Sequence, residues 1–132
     1  MRPFVGMFRV DVRIANPSDP LREETVRAVV DTGAMYPVVP RSVVQALGLP
    51  PRERRSFRLA NDPVIVRDVA AVLFTCQRHT TVIDAVLGEA NDVPLLGALA
   101  LEGLGLEVDP VRQEVRPMTL YLLPSHPVAL PA

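Results

Sequence analysis

Apolar and charged residues alternate without a break along residues 8–14, near the start of the chain. This two-residue period is typical of a strand with one buried face and one solvated face. Residues 16–20 are rich in turn formers, and residues 25–30 then supply a second run of β-prone side chains. The chain is therefore predicted to begin with two strands joined by a turn.

The next segment predicts a short strand, a helix and a hairpin. Val38 and Val39 form the strand, and residues 41–47 form a helix that Gly48 can end in the left-handed conformation. Further predicted strands are at residues 57–59, 64–66, 69–74, 80–87, 95–96 and 106–108, with a return strand that begins at Val115 and a second helix at 98–102 that ends at Gly103 or Gly105.

Many short strands with two short helices predict an all-β, barrel-like fold. The 14 prolines among 132 residues exclude a protein of long helices. A hydrophobic content of 48% and a net charge of −1 indicate one folded domain, and neither value calls for nucleic acid or a membrane surface as a partner. No apolar stretch reaches the ~20 residues of a membrane span.

Cysteine usage and the N-terminal residues bear on the compartment. Cys76 is the only cysteine, so no disulfide can form within the chain, and its predicted role is apolar packing. His79 is close to Cys76 only in sequence, and neither residue has the spacing of a zinc site. Residues 1–4 lack the apolar core of a signal peptide, and the expected location is the cytoplasm.

The candidate chemistry is concentrated at Asp31-Thr32-Gly33, which follows an apolar strand and occurs once in the chain. Aspartate and glycine end many strands for turn reasons alone. A second strand, however, ends in glycine much later, within residues 94–98 (Pro-Leu-Leu-Gly-Ala), and opens a helix. Together the two motifs resemble the retroviral-type (retropepsin-like) aspartic proteases. Residues 104–110 (Leu-Gly-Leu-Glu-Val-Asp-Pro) look especially like the bacterial single-domain members of that family.

The resemblance covers roughly residues 8–117 and implies a retropepsin-like acid-protease barrel with two short helices. It divides the chain into a protease domain at 1–117 and a tail at 118–132, with residues 120–123 as a candidate interface strand before a proline-rich end. It also implies that one subunit supplies half of an active site. We therefore expect a homodimer, with the site at its two-fold interface.

The resemblance assigns roles around the aspartate. Asp31 is the expected catalytic residue, one from each subunit, and the two carboxylates share a proton to activate water. Thr32 is expected to brace the site across the dimer, and Gly33 lets the backbone bend without a Cβ. Ala34 offers the carboxylate no hydroxyl, which favours a singly protonated pair nearer neutral pH.

The expected substrate is a peptide or protein, cleaved by an aspartic-type endopeptidase without cofactor or metal. Ala60, Asn61 and Asp62 occupy the place of the family's flap, the hairpin that closes over a bound peptide. Leu96 and Gly97 are assigned to substrate binding as well. An exposed turn at 60–62 and a structural role for the leucines are the simpler alternatives.

Three positions depart from the family pattern. Met35 stands where a small or polar residue is common, and Ala98 stands where retroviral members have an arginine that ties down the active-site loop. The flap tip has Pro63 and no glycine, which would stiffen it. These departures support an alternative function, a catalytically silent module for dimerisation or peptide binding; a purely structural dimerisation unit is a third.

Arginine supplies all 14 basic residues of the chain. Four of them, Arg52, Arg54, Arg55 and Arg58, cluster before and within the predicted flap. They are interpreted as a solvated face, with a preference for acidic substrates as the alternative.

Overall fold

β-strands dominate residues 7–123, the part of the chain that this computed structural model describes. The strands are β1 (Phe8–Asn16), β2 (Asp19–Val30), β3 (Val38–Val39), β4 (Glu53–Arg58), β5 (Val64–Cys76), β6 (His79–Leu87), β7 (Leu95–Leu96), β8 (Leu106–Asp109) and β9 (Glu114–Pro117). The helices are α1 (Arg41–Leu47) and α2 (Ala98–Leu104). The predicted all-β class with two short helices is confirmed for these residues.

Six of the strands close into a barrel. Hydrogen bonding follows the order β1-β2-β7-β3-β6-β5, and β5 pairs back onto β1 with Ile14 opposite Phe74. Both side chains are 1% exposed and belong to the hydrophobic core. Full burial of an aliphatic or aromatic side chain contributes about 1.5–3 kcal/mol, so the closing seam is also a stabilising part of the core.

Two-residue strands occupy the middle of the barrel wall. β7 pairs in parallel with β2, with Val30 opposite Leu96, and antiparallel with β3, with Val38 opposite Leu95. β3 in turn pairs in parallel with β6. β7 therefore lies between the strand that leads into Asp31 and the strand that follows it.

The hairpin formed by β4 and the first part of β5 extends beyond the barrel. β4 pairs with β5 from Glu53–Val69 at its base to Arg58–Val64 at its end. β5 reaches β6 only from Val69 onward. Residues 53–68 therefore form a two-stranded arm, which we call the flap.

Helix α1 is held by the hairpin that joins β1 and β2. The Asn16 side-chain amide donates to the carbonyl oxygens of Leu47 and Gly48 at 3.0 and 3.3 Å, and Arg22 Nε donates to the carbonyl of Ala46 at 2.8 Å. These carbonyls lie at the C-terminal end of α1, where donors and positive charge are favourable. Gly48 ends the helix at φ 61°, as its sequence position predicted.

Three strands are clearly longer than the sequence pattern predicted. β4 begins at Glu53 and not at residue 57, because its charged residues pair with β5 along the flap. β2 begins at Asp19 and not at residue 25, because its exposed first half pairs with β1 without needing an apolar face. β5 joins the strands predicted at 64–66 and 69–74. Arg67 and Asp68 interrupt the apolar pattern there but keep their backbone pairing with β4.

Helix α2 also runs further than predicted, to Leu104, and Gly105 ends it at φ 68°. Gly103 lies inside the helix and against β6, where a Cβ would come within 2.5 Å of Thr81 Oγ1. The absence of a side chain at Gly103 therefore permits the close packing of helix on sheet. Beyond α2, β8 and β9 form a separate two-stranded sheet.

Cys76 is buried at the end of β5, which is the packing role that the sequence predicted. Burial, with a smaller contribution from the charge of Asp11, raises the pKa of its thiol. Within residues 7–123 no group of three or more His, Cys, Asp or Glu side chains could hold a metal ion. No helix in the same range is long and apolar enough to cross a membrane.

Within residues 7–123, the start of the predicted tail pairs with no other strand. Met118 N–H donates to the carbonyl of Gly105 at 3.0 Å, and residues 119–123 form neither helix nor strand. Leu120 and Leu122 are 60% and 94% exposed. The assignment of 120–123 to an interface strand stays a prediction, and the proline-rich residues 124–132 lie outside the described residues.

We predict that Asn16→Ala lowers the free energy of unfolding by about 1–3 kcal/mol, because it leaves buried carbonyls at the end of α1 without their donor. Asn16 is only 8% exposed, and its Oδ1 also accepts from Ser18 N–H at 2.9 Å. Unfolding in urea, monitored by circular dichroism, measures the change in the free energy of unfolding. Ser18→Ala is the matched control, since it keeps the backbone donor in the same turn; equal losses in both variants would contradict the prediction.

Candidate active site

Asp31 directly follows the last residue of β2 and is held by the neighbouring strand. Its backbone N–H donates to the carbonyl of Leu96 in β7 at 3.1 Å. β2 is buried over its last three residues, Ala28 to Val30, so the core fixes the direction in which the chain leaves the sheet. The Asp31 side chain itself is half-buried at the edge of the barrel.

A tight turn orients the Asp31 carboxylate. Gly33 N–H donates to Asp31 Oδ1 at 2.9 Å, and Ala34 N–H donates to the Asp31 carbonyl at 3.2 Å. A Cβ at Gly33 would lie 3.2 Å from Oδ1, so glycine leaves room for this approach. One carboxylate oxygen is thereby fixed by the turn, while Thr32 and Gly33 are exposed.

The loop that follows the turn rests on the start of α2. Ala98 N–H donates to the Ala34 carbonyl at 2.7 Å, and Leu99 N–H donates to the Met35 carbonyl at 3.0 Å. A Cβ at Gly97 would lie 2.8 Å from the carbonyl oxygens of Ala34, Met35 and Tyr36. The backbone at the start of α2 therefore anchors the active-site loop, a function for which the side chain of Ala98 is not needed.

Leu96 and Gly97 lie beneath this loop. Leu96 is 1% exposed and Gly97 is buried. Their observed contacts support the loop from inside the subunit. Met35, by contrast, is 64% exposed on the loop itself, and its side chain is open to solvent beside the Asp31 turn.

The predicted flap tip forms a turn between β4 and β5. Asp62 N–H donates to the Leu59 carbonyl and Leu59 N–H to the Pro63 carbonyl, both at 2.9 Å. Asp62 has φ 85°, a left-handed conformation that glycine adopts more readily. Arg58 compensates by donating to both the carbonyl and Oδ1 of Asp62 at 3.0 Å. Ala60, Asn61 and Asp62 are all exposed.

Ion pairs involve each arginine of the flap region. The pairs are Arg52 with Glu53 and Asp84, Arg54 with Asp68, Arg55 with Glu53, Arg58 with Asp62, and Arg67 with Glu89, which also pairs with Arg41. Because carboxylates neutralise these exposed guanidinium groups, the cluster matches the solvated face predicted from sequence. It offers little unpaired positive charge for an acidic substrate.

Sequence reasoning missed an aromatic contact between the flap and the active-site loop. The rings of Tyr36 and Phe57 are 5.3 Å apart between centroids and inclined at 81°, an edge-to-face arrangement. Aromatic residues make up only 5% of the chain. The presence of one in the loop after Asp31 and another in the flap was the signal from which this contact could have been predicted. The salt bridge of Arg52 with Asp84 at the flap base was missed as well.

We predict that Gly97→Ala destabilises the protein by about 1–3 kcal/mol, because the added Cβ overlaps three backbone carbonyls that cannot rotate away. Thermal denaturation measures this loss. The matched variant Ala98→Gly removes a Cβ and keeps the N–H donor, so its cost is limited to about 1 kcal/mol of helix propensity. A smaller loss for Gly97→Ala than for Ala98→Gly would contradict the proposed crowding.

Comparison with solved structures places this geometry in a known fold. EIAV protease complexed with the inhibitor HBY-793 is similar at a TM-score of 0.57 and 16% identity, over 83% of this chain and 93% of that chain. Simian Foamy Virus (mac) protease is similar at a TM-score of 0.51 and 16% identity, over 71% and 91%. These similarities confirm the predicted retropepsin-like fold.

A retropepsin-like aspartic protease from Rickettsia conorii is similar over 78% of this chain and 86% of that chain, at 18% identity and a TM-score of 0.47. None of the curated proteins compared with the chain matches it. The family model described as "Aspartyl protease" matches residues 10–101. That match spans well over half of the chain, which therefore belongs to the aspartyl protease family.

Proposed function

We propose that the chain is one subunit of a homodimeric aspartic endopeptidase. The observation that carries this proposal is the position of Asp31, whose carboxylate is oriented by Gly33 N–H on a loop anchored to α2. The bond from Gly33 N–H alone is an ordinary Asx-turn, and the anchoring of the following loop by the Ala98 and Leu99 N–H groups is what distinguishes Asp31 from a plain turn residue. The half-buried carboxylate at the edge of the barrel is available to a second subunit.

The proposed reaction needs two carboxylates. The chain has one Asp-Thr-Gly, so the second carboxylate comes from Asp31 of another copy across a two-fold axis. One carboxylate is ionised and removes a proton from water, while the other is protonated and donates to the scissile carbonyl. The water oxygen attacks the carbonyl carbon. As the C–N bond breaks, the carboxyl group that took the proton from water gives it to the leaving amine nitrogen, and the other carboxyl group recovers its proton from the hydroxyl of the collapsing intermediate.

The proposed substrate is an extended peptide bound under the flap. Extended peptides bind such clefts through backbone hydrogen bonds, with side chains in alternate pockets. The exposed Met35 beside the Asp31 turn favours apolar side chains, and the paired flap arginines do not favour acidic ones. The proposal involves no cofactor or metal, and it keeps residues 120–123 as part of the subunit interface.

The cytoplasm is the proposed compartment, and its support is the single cysteine, which is buried and cannot form a disulfide within the chain. The competing function is a catalytically silent module that binds peptide or dimerises. Part of the support for that alternative was Ala98, which stands where retroviral members have a loop-anchoring arginine. Because the backbone N–H groups of Ala98 and Leu99 anchor the loop, the missing arginine is no argument against catalysis.

We predict that Asp31→Asn abolishes peptide cleavage and leaves folding intact, since asparagine keeps the acceptor for Gly33 N–H but cannot ionise. Cleavage of a mixed peptide library, followed by mass spectrometry, measures activity, and circular dichroism checks the fold. Asp19→Asn is the matched control, because Asp19 is exposed at the start of β2. Turnover by a pure Asp31→Asn preparation would overturn the assignment. A wild type that binds library peptides without cleaving them would favour the silent module.

We further predict that mixing with Asp31→Asn subunits lowers the cleavage activity of the wild-type protein. If each active site needs both Asp31 carboxylates, an equal mixture allowed to exchange subunits retains about half the activity of its wild-type portion, because mixed dimers are inactive. The assay is cleavage after co-incubation at concentrations where sedimentation shows dimers. Activity that stays proportional to wild-type protein would contradict a shared site.

A further inference from the structure

Among residues 7–123, the flap has few hydrogen bonds or ion pairs to the rest of its own subunit. At its base, Arg52 N–H donates to the Val69 carbonyl at 2.8 Å and the Arg52 side chain pairs with Asp84. Further along, Arg67 approaches Glu89 at 3.7 Å. The remaining ion pairs of the arm, such as Arg58 with Asp62, join residues within the flap or at its base. The base is therefore fixed, while the outer part depends on few contacts.

The aromatic contact is the strongest of those outer attachments. Arg67 and Glu89 are 27% and 48% exposed, and exposed ion pairs contribute little because water and salt screen them. Tyr36 and Phe57 are both half-buried, and their edge-to-face geometry is favourable beyond the apolar area that it buries. Phe57 lies only one residue before the end of β4, so its ring is well placed to hold the arm.

Tyr36 connects two parts of the proposed site. Its backbone belongs to the loop after Asp31, and its carbonyl packs against Gly97 at the start of α2. Its ring contacts the flap through Phe57. The loop that fixes the catalytic carboxylate and the arm that covers the substrate therefore meet at one side chain of the same subunit.

We propose that Tyr36 and Phe57 are positioning residues that hold the flap at a set distance from the Asp31 loop. This inference rests on the proposed endopeptidase function. Neither ring takes part in the reaction. Their contact lowers the freedom of the arm before substrate binds, so less ordering remains to be done on binding. Ground state and transition state both lie under the same flap and gain equally, so the contact acts on KM and not on kcat.

The test compares Tyr36→Leu, Phe57→Leu and the double variant with Tyr36→Phe, which keeps the aromatic ring. We expect each leucine variant to raise KM for a cleaved peptide by about 2- to 10-fold with kcat retained. The double variant should be no worse than the poorer single variant, because both lose the same contact. Tyr36→Phe should keep the KM of the wild type, because it keeps the ring that contacts Phe57.

Val111→Ala is the control outside the flap. Val111 is 91% exposed in the turn between β8 and β9, which form a sheet separate from the barrel and the flap. We expect its KM to equal that of the wild type. A fall in kcat at unchanged KM in the leucine variants, or additive losses in the double variant, would overturn the proposal.

A second measurement does not depend on cleavage. Amide hydrogen exchange at Leu59 and Asp62, whose N–H groups bond within the flap tip, should be faster in Tyr36→Leu than in the wild type. Val111→Ala should not show this change. The same comparison in an Asp31→Asn background, which is expected not to cleave, measures the coupling independently of activity. Faster exchange in Tyr36→Leu together with a wild type that cleaves no library peptide would refute the endopeptidase and keep the coupling, and unchanged exchange would refute the coupling.

Discussion

The close approach of Gly97 to the carbonyl oxygens of residues 34–36 is the constraint on which the candidate site depends. A side chain at Gly97 would push the loop away from α2, and the bonds from Ala98 and Leu99 N–H groups would be lost. The loop can then no longer hold the turn in which Gly33 orients the Asp31 carboxylate. The geometry of the half-site therefore depends on the absence of a side chain at Gly97.

The strand order explains why this contact can form. β7 is only two residues long, yet it pairs with β2 on one side and β3 on the other, so the strands that enter and leave the Asp31 loop flank the same short strand. Gly97 follows β7 directly and opens α2. The barrel core fixes these strands through buried residues such as Val30, Val39 and Leu96. Packing far from solvent therefore determines where a partly exposed carboxylate points.

Local sequence signals were sufficient for much of the fold. The alternation along β1, the glycine that ends α1 and the Asp-Thr-Gly turn each involve neighbours in the chain, and each predicted its element. The first half of β2 could not be predicted, because its exposed residues are ordered only by pairing with β1. The sequence pattern divided β5 into two strands, and this was wrong. Arg67 and Asp68 are charged and interrupt the apolar pattern, but their backbone pairing with β4 is continuous.

The candidate site shows the same limit. Asp31 and Gly33 were found from the sequence because their bond spans two residues. The anchoring of the loop was missed because it uses backbone groups at Ala98 and Leu99, for which side-chain identity gives no signal. The contact between Tyr36 and Phe57 depends on a tertiary fold that brings the flap over the loop.

The continuity of β5 gives the flap a mechanical property. One uninterrupted strand of 13 residues forms the returning half of the arm and then the barrel wall up to the seam with β1. Val69 pairs with Glu53 of β4 and with Val86 of β6, so the ladder changes partner at this residue without a break. A displacement of the flap therefore has to bend a paired strand and not a loop hinge, and the flap and the barrel wall are elastically continuous.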